Sequence, residues 1–250
     1  MVGSPRSGTT FLGECLEAVP QVSYHYEPLL TQWFAREQGR LGWSARAERA
    51  LYHGTYRWLM RVHGEGDLRF AEKTPRNSFR VPQLAELFPD ASFVHIVRDG
   101  RDVALSLLQL PWFRADGGGA GADGGGFGPH ARFWVEPERR DEFERATDLT
   151  RCIWCWRRYT EAVADAFEAL PPTRVHTLRY EDWVLEGKGE AESLLDFLAI
   201  PGAEARAALQ SAVGDSRTAS IGGWRDRLGD AECREIEAEA GPLLHRLGYR

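Results

Sequence analysis

The sequence predicts an α/β fold: a central parallel sheet in three layers, helices on both faces, and a phosphate-binding loop before the first helix. Three observations carry this. Strand-like and helix-like stretches alternate along the chain. The opening stretch "VGSPRSGTTFLGE" has Gly3 and Gly8 five apart, the glycine spacing of a loop that cradles phosphate. "ASFVHIVRDG" is a near-continuous apolar run, as expected of a strand buried on both faces.

Each element follows in order. Met1 to Gly3 has room only for the end of a strand. Thr9 to Val19 places Phe11, Leu12, Cys15, Leu16 and Val19 at helical spacing and stops at Pro20. "VSYHYEP" is a short β-rich run closed by Glu27-Pro28. Residues 29–63 read as helix, rich in Trp and Arg. "LRFAEKTP" is strand-like and ends at Lys73-Thr74-Pro75. "VPQLAELFP" is a helix, "FVHIV" the best strand, and "RDVALSLLQL" the helix after it. "TRVHTLRYEDWV" is a further strand running into a turn. Two helices are expected near 190–199 and 230–247.

Composition limits the function. Lys and Arg total 31 against 37 Asp and Glu, a net charge of −6, which argues against a general nucleic-acid binder. The longest apolar runs are far short of a membrane span. Met1-Val2 leads straight into the loop, with no signal peptide. The four cysteines suit a reducing, cytoplasmic setting. Cys152 and Cys155 form a CxxC without a second Cys/His pair, so buried helix thiols are expected rather than zinc. Residues 116–128 hold eight glycines in thirteen and read as a disordered surface insert or a flexible lid.

In parallel α/β sheets, ligands bind beyond the carboxyl ends of the strands. That rule places the 3–10 loop, Glu27, Lys73 and Arg98-Asp99 on one edge. Backbone N–H groups and the dipole of the first helix make the loop an anion site, with hydroxyls from Ser7, Thr9 and Thr10. A triphosphatase carries lysine where this chain has Thr9, and its cation is instead Arg6, which can hold two oxygens at once. Arg98 closes the best strand where a triphosphatase needs an acidic magnesium ligand. The pattern points to a nucleotide with two separate phosphates and no required metal. Arg98 and Ser106 can flank the second phosphate; the bland alternative pairs Arg98 with Asp99 or Asp102.

"GSPRSGTT" followed by "VRDGRDVALS" resembles the sulfotransferases that use 3′-phosphoadenosine-5′-phosphosulfate (PAPS). "FAEKTPR", "LRYEDWV" and "SIGGWRDRL" before a tail ending "LLHRLGY" resemble further segments of that family in the same order. The resemblance implies a single sulfotransferase domain over 1–250, with 30–65 a helical acceptor-side insertion and 116–128 a Gly-rich flexible loop. It implies that Arg6, Ser7, Gly8, Thr9 and Thr10 hold the 5′-phosphosulfate and that Arg98 and Ser106 hold the 3′-phosphate. Gly222, Gly223 and Arg225 would close over the nucleotide, and Trp224 would brace that loop or pack near the adenine. Arg6 in the first loop places the chain nearer the carbohydrate, tyrosyl-protein and bacterial branches than the phenol-sulfating one. Sulfuryl transfer needs a base on the acceptor side, for which Glu27 is best placed and His25 is the reserve; Arg6 and Lys73 would steady charge on the leaving oxygen. The expected acceptor is a small molecule or glycan bearing a hydroxyl, with peptide tyrosine possible, and the product nucleotide is adenosine 3′,5′-bisphosphate (PAP). The competing readings are a small-metabolite kinase using ATP and a catalytically silent nucleotide-binding module.

Overall fold

The computed structural model describes residues 1–37, 44–63, 68–114, 132–214 and 218–250. The Gly-rich 116–128 stretch lies outside the described residues, as do parts of the 30–65 segment. The chain divides into two compact units, each assembled from discontinuous stretches. The first comprises residues 1–3, 8–97 and 162–218; the second comprises 4–7, 98–161 and 219–250.

The first unit carries the sheet. Helix α1 (Thr9–Glu17) precedes β1 (Val22–Tyr26), and α2 (Leu29–Glu37) and α3 (Ala45–His63) lead to β2 (Arg69–Lys73). Helix α4 (Val81–Leu87) precedes β3 (Phe93–Val97), and β4 (Val175–Arg179) completes the strands. β1 and β2 pair in parallel from Val22 opposite Arg69 to Tyr26 opposite Lys73. β3 and β4 do the same from Phe93 opposite Val175 to Val97 opposite Arg179. Val2 bridges His95 in parallel, donating to the Val94 carbonyl at 2.9 Å, while the Met1 amine donates to the Glu72 carbonyl at 2.7 Å. Residues 1–2 therefore run between β2 and β3. The strands form two parallel pairs, β1 with β2 and β3 with β4, so Tyr26 and Lys73 end side by side, as do Val97 and Arg179. Every residue of β3 is buried, as its apolar run demands.

The core of this unit gathers Val2, Tyr56, Val81, Leu84, Phe93 and Val163. Three helices follow β4: α8 (Tyr180–Leu185), α9 (Gly187–Phe197) and α10 (Ala203–Gly214). The Tyr180-Glu181-Asp182 segment, expected as a turn, opens α8. The residues before it are extended and those after it include Trp183, fully buried, so packing extends one helical turn into a short helix. α10 was not expected, because its Ala-rich sequence has a weak apolar period.

The second unit is helical. α5 (Gly100–Leu107), α6 (Arg140–Arg145) and α11 (Asp230–Arg246) belong to it, and α7 (Asp148–Glu168) begins in it and ends in the first unit. Phe143, Ile153, Trp154 and Trp156 are almost wholly buried. Cys152 and Cys155 are buried thiols on α7, and burial pushes the Cys152 thiol well up. Arg157 binds Glu136, Glu161 and Glu239 together, at 2.8, 2.7 and 2.6 Å.

Buried His95 and half-buried His176, on adjacent strands, set an acid limit on the first unit. His95 and His176 each have a buried Nε2 without a hydrogen-bond partner. Desolvation lowers both, His95 to about 4. Their depressed affinity for protons means that the unfolded chain binds more protons between pH 6.5 and 4, so stability is complete above that window and falls as pH drops through it. His95 alone should account for about 3 kcal/mol. Urea unfolding at stepped pH checks this: a decline below pH 6.5 is expected, and a flat profile to pH 4.5 would show that the imidazoles are not held neutral.

Candidate active site

In the first unit, β1 and β2 deliver Glu27 and Lys73 together. The Glu27 N–H donates to the Lys73 carbonyl at 2.9 Å, extending the ladder one rung past Tyr26. Glu27 then turns with φ 40°, a left-handed conformation that a residue with a side chain adopts at some cost. The turn brings its carboxylate back over the strand end, where Oε1 meets Lys73 Nζ at 2.5 Å. Lys73 is 2% exposed and Glu27 21%. Lys73 pairs with Glu27 and not with Glu72, its neighbour in the chain. Glu72 points elsewhere, accepting from Asn77 at 3.0 Å and from Thr31 and Thr74, and burial pushes its carboxyl up.

Two more side chains complete this group. Gln32 of α2 donates its amide to Glu27 Oε2 at 2.5 Å. Tyr26 lies with its ring under Lys73 Nζ, 4.1 Å away, and its hydroxyl shares a hydrogen bond with Thr10. His25, the reserve base, faces away from this work. Its ring bonds Ser23 at 2.9 Å and stacks on Phe70 at 4.7 Å. Alternation along β1 explains this: residues 23 and 25 share a face, and Glu27 leaves it by turning.

The loop before α1 is built on two left-handed residues. Arg6 has φ 69° and Gly8 has φ 96°. A Cβ at Gly8 would meet the Tyr180 ring at 2.5 Å, so only glycine fits there. Gly8 is the N-cap of α1 and makes no side-chain cap, which leaves the first amides of the helix aimed outward. The Ser7 N–H closes the turn onto the Ser4 carbonyl at 3.1 Å.

The second unit gathers Arg6, Arg98 and Ser106. Arg6 Nε donates to Ser106 Oγ at 3.0 Å. Arg98 donates to the Arg6 carbonyl at 3.1 Å and to the Ser220 carbonyl. Its own carbonyl accepts from Trp156 Nε1 at 3.0 Å. Of the alternative partners, Asp102, whose carboxyl burial pushes up, feels Arg98 as a nearby positive charge that pulls it down. Asp99 takes Arg101, at 2.7 Å, and Trp224 Nε1, at 3.1 Å.

Asp102, besides feeling the charge of Arg98, has a second role that the sequence did not reveal. Its carboxylate accepts the N–H of Gly222 at 2.7 Å and of Trp224 at 3.0 Å. Burial pushes this carboxyl above its ordinary range, against the opposing pull of those two amides. Gly223 and Arg225 flank the gripped residues, and Arg225 lies 4.7 Å from the Trp224 ring. Arg101 covers that ring at 3.8 Å. Trp224 thus braces its loop inside this unit. An acidic residue one helical turn after Asp99, with a Gly-Gly-Trp segment far downstream, is a signal visible only once the fold pairs them.

The Sulfotransferase family model matches residues 1–204. The chain belongs to the sulfotransferase family. It is 24% identical to the protein-tyrosine sulfotransferase A of Caenorhabditis elegans, over 80% of this chain and 49% of that protein. It is 26% identical to the omega-hydroxy-beta-dihydromenaquinone-9 sulfotransferase of Mycobacterium bovis, over 58% of this chain and 32% of that protein. The chain thus spans half or less of the length of these relatives. Among solved structures, the sulfotransferase domain from the curacin biosynthetic pathway superposes with a TM-score of 0.61 at 16% identity, covering 97% of this chain and 95% of that one. That likeness establishes the fold.

Sulfotransferase membership implies PAPS as sulfate donor, and the donor set present suits it. Arg6, Arg98 and Ser106 offer guanidinium and hydroxyl donors, and the α1 terminus offers backbone N–H groups. No three of His, Cys, Asp and Glu cluster as a metal site among the described residues.

Asp102→Ala frees two amides that now donate to a charged acceptor, each bond being worth about 1.5–3 kcal/mol. Hydrogen exchange at Gly222 and Trp224 should accelerate by roughly 10-fold or more. Unchanged exchange at both amides would show that Asp102 does not hold the loop.

Proposed function

We propose that the chain transfers a sulfuryl group from PAPS to an acceptor hydroxyl, with Glu27 as the base. The observation that carries this is the Glu27–Lys73 pair at the carboxyl edge of the sheet, in a chain of the sulfotransferase family. In the reaction, the acceptor oxygen bonds to sulfur while the bond from sulfur to the 5′-phosphate oxygen breaks. The electron pair leaves with PAP, and the acceptor proton goes to Glu27. The transition state is loose, so the chain's task is to align the partners and offset charge on the leaving oxygen.

Roles for individual residues follow within this reading. Arg6, Ser7, Gly8, Thr9 and Thr10 hold the 5′-phosphosulfate, supported by the left-handed turn and open amides of the loop. Arg98 and Ser106 hold the 3′-phosphate, supported by their meeting with Arg6. Gly222, Gly223, Trp224 and Arg225 close over the nucleotide, supported by the Asp102 grip. Lys73 assists at the leaving oxygen and orients Glu27; Gln32 fixes the second carboxylate oxygen. Arginine, rather than magnesium, is assigned to both phosphates. The buried free thiols support a cytoplasmic, reducing location.

PAP without magnesium should stabilise the chain by about 2.7 kcal/mol at a hundredfold excess over its Kd. That is a rise in Tm of roughly 5–10 °C for a chain of this size. Glu27→Gln should keep this shift and lower kcat by about 10²–10⁴. Stabilisation by Mg-ATP and not by PAP would favour the kinase reading; a fully active Glu27→Gln variant would remove Glu27 from the base role. Arg98→Ala should weaken PAP far more than adenosine 5′-phosphosulfate, and equal losses would take Arg98 out of the 3′ site.

A further inference from the structure

The surface beside Glu27 is apolar, and the Glu14 and Glu17 carboxylates act on the tyrosines next to it. Tyr26 is 58% exposed, although its hydroxyl is fixed by Thr10 and its ring by Lys73. Immediately after Glu27, α2 presents Leu29 at 84%, Leu30 at 43% and Trp33 at 42% exposure. An exposed leucine alone says little, but four large apolar side chains within eight residues of one carboxylate form a patch.

Helix geometry aims that patch at Glu27. Residues three and four apart lie on one helix face, so Leu29, Gln32 and Trp33 are neighbours. Gln32 is the residue that bonds Glu27. The apolar face of α2 is therefore the face that meets the base. Tyr26 bounds the carboxylate from the strand side, so it sits between an aromatic ring and an aliphatic-aromatic helix face.

The charge nearby selects further. Glu14, on the exposed side of α1, and Glu27 both raise the Tyr26 phenol, after burial as the larger cause. Glu14, Glu27 and Glu17 act on Tyr24 in the same way. Lys73 is already committed to Glu27. Of the α3 arginines, Arg49 pairs with Glu86, and Arg57 and Arg61 line a cavity with His53, Met60 and Phe88. An acidic peptide or an anionic sugar would meet the Glu14 and Glu27 carboxylates here, with Lys73 already committed to Glu27.

We propose that the acceptor is an uncharged aryl or alkyl alcohol, laid across Tyr26, Leu29, Leu30 and Trp33 with its hydroxyl toward Glu27. This rests on the sulfotransferase reading above and narrows it. Neutral sugars lack the apolar area to use this surface, and polyanions are repelled from it. The hydroxyl loses its proton to Glu27 as its oxygen takes the sulfuryl group, and the apolar remainder supplies binding energy that holds the oxygen in line.

The test uses the full chain, labelled PAPS and four acceptors: 2-naphthol, 1-decanol, N-acetylglucosamine, and a tyrosine peptide flanked by aspartates. Label should pass to 2-naphthol or 1-decanol with a kcat/KM at least about 100-fold above the other two, the discrimination that burial of one to two large apolar groups provides. Leu29→Ser should raise KM for the preferred alcohol about 10-fold, with kcat little changed and PAP stabilisation intact. Because Leu29 is exposed, the variant should fold. Faster transfer to the sugar or the acidic peptide overturns the proposal, as does an unchanged KM in Leu29→Ser. So does the absence of label on both alcohols while PAP still raises Tm. Failure of PAP to stabilise the chain, with no transfer to any acceptor, instead overturns the sulfotransferase reading itself.

Discussion

The ion pair between Lys73 and Glu27 is the interaction on which the strand-end group of the first unit depends. An ammonium that is 2% exposed cannot stand without a counter-charge. Losing one partner of such a pair leaves an uncompensated buried charge, a penalty of about 3–5 kcal/mol. The pair explains why Glu27 accepts a left-handed backbone: the carboxylate reaches Lys73 only by turning back after β1. It also explains the start of α2, because Gln32 binds the oxygen that Lys73 does not use. One electrostatic requirement thus fixes two strand ends, a turn and the first helical turns of the acceptor side.

The second unit solves a different problem with the same kind of chemistry. The segment from Thr218 to Asp226 forms a loop near Arg98 with only two short 3₁₀ turns, Thr218–Ser220 and Gly223–Asp226, to shape it. Two carboxylates, Asp99 and Asp102, hold it. Asp102 grips two backbone amides, and Asp99 holds the Trp224 indole beneath Arg101. Carboxylates suit this work because a charged acceptor makes hydrogen bonds about twice as strong as a neutral one. The result is an acidic scaffold behind a cationic face formed by Arg6 and Arg98.

Much of this was legible in the sequence, for identifiable reasons. Strands β1 to β4 were marked by β-branched and aromatic runs closed by Pro, Gly or charge. Their ends named Glu27 and Lys73 as neighbours, because paired parallel strands finish side by side. Gly3 and Gly8 announced the loop, since their spacing has a steric cause that sequence alone displays. Pairing choices were less legible. Lys73 had two acidic neighbours, and only the turn at Glu27 decided between them. Asp102 looked like an arginine partner, and its further amide partners lie 120 residues on, with no side chain to mark them. Helix α10 was missed because alanine gives no period, and α8 because one turn of helix and a turn share their sequence signals.

The proposed function divides the labour: cations and amides would hold the donor, and the Glu27 carboxylate would serve the acceptor. A crystal structure of the chain with PAP tests that division most directly. The 5′-phosphate is expected on the backbone amides at Gly8–Thr10 and on Arg6, with the 3′-phosphate on Arg98 and Ser106. PAP bound with its 3′-phosphate away from Arg98 and Ser106, or held only through a magnesium ion, would contradict it.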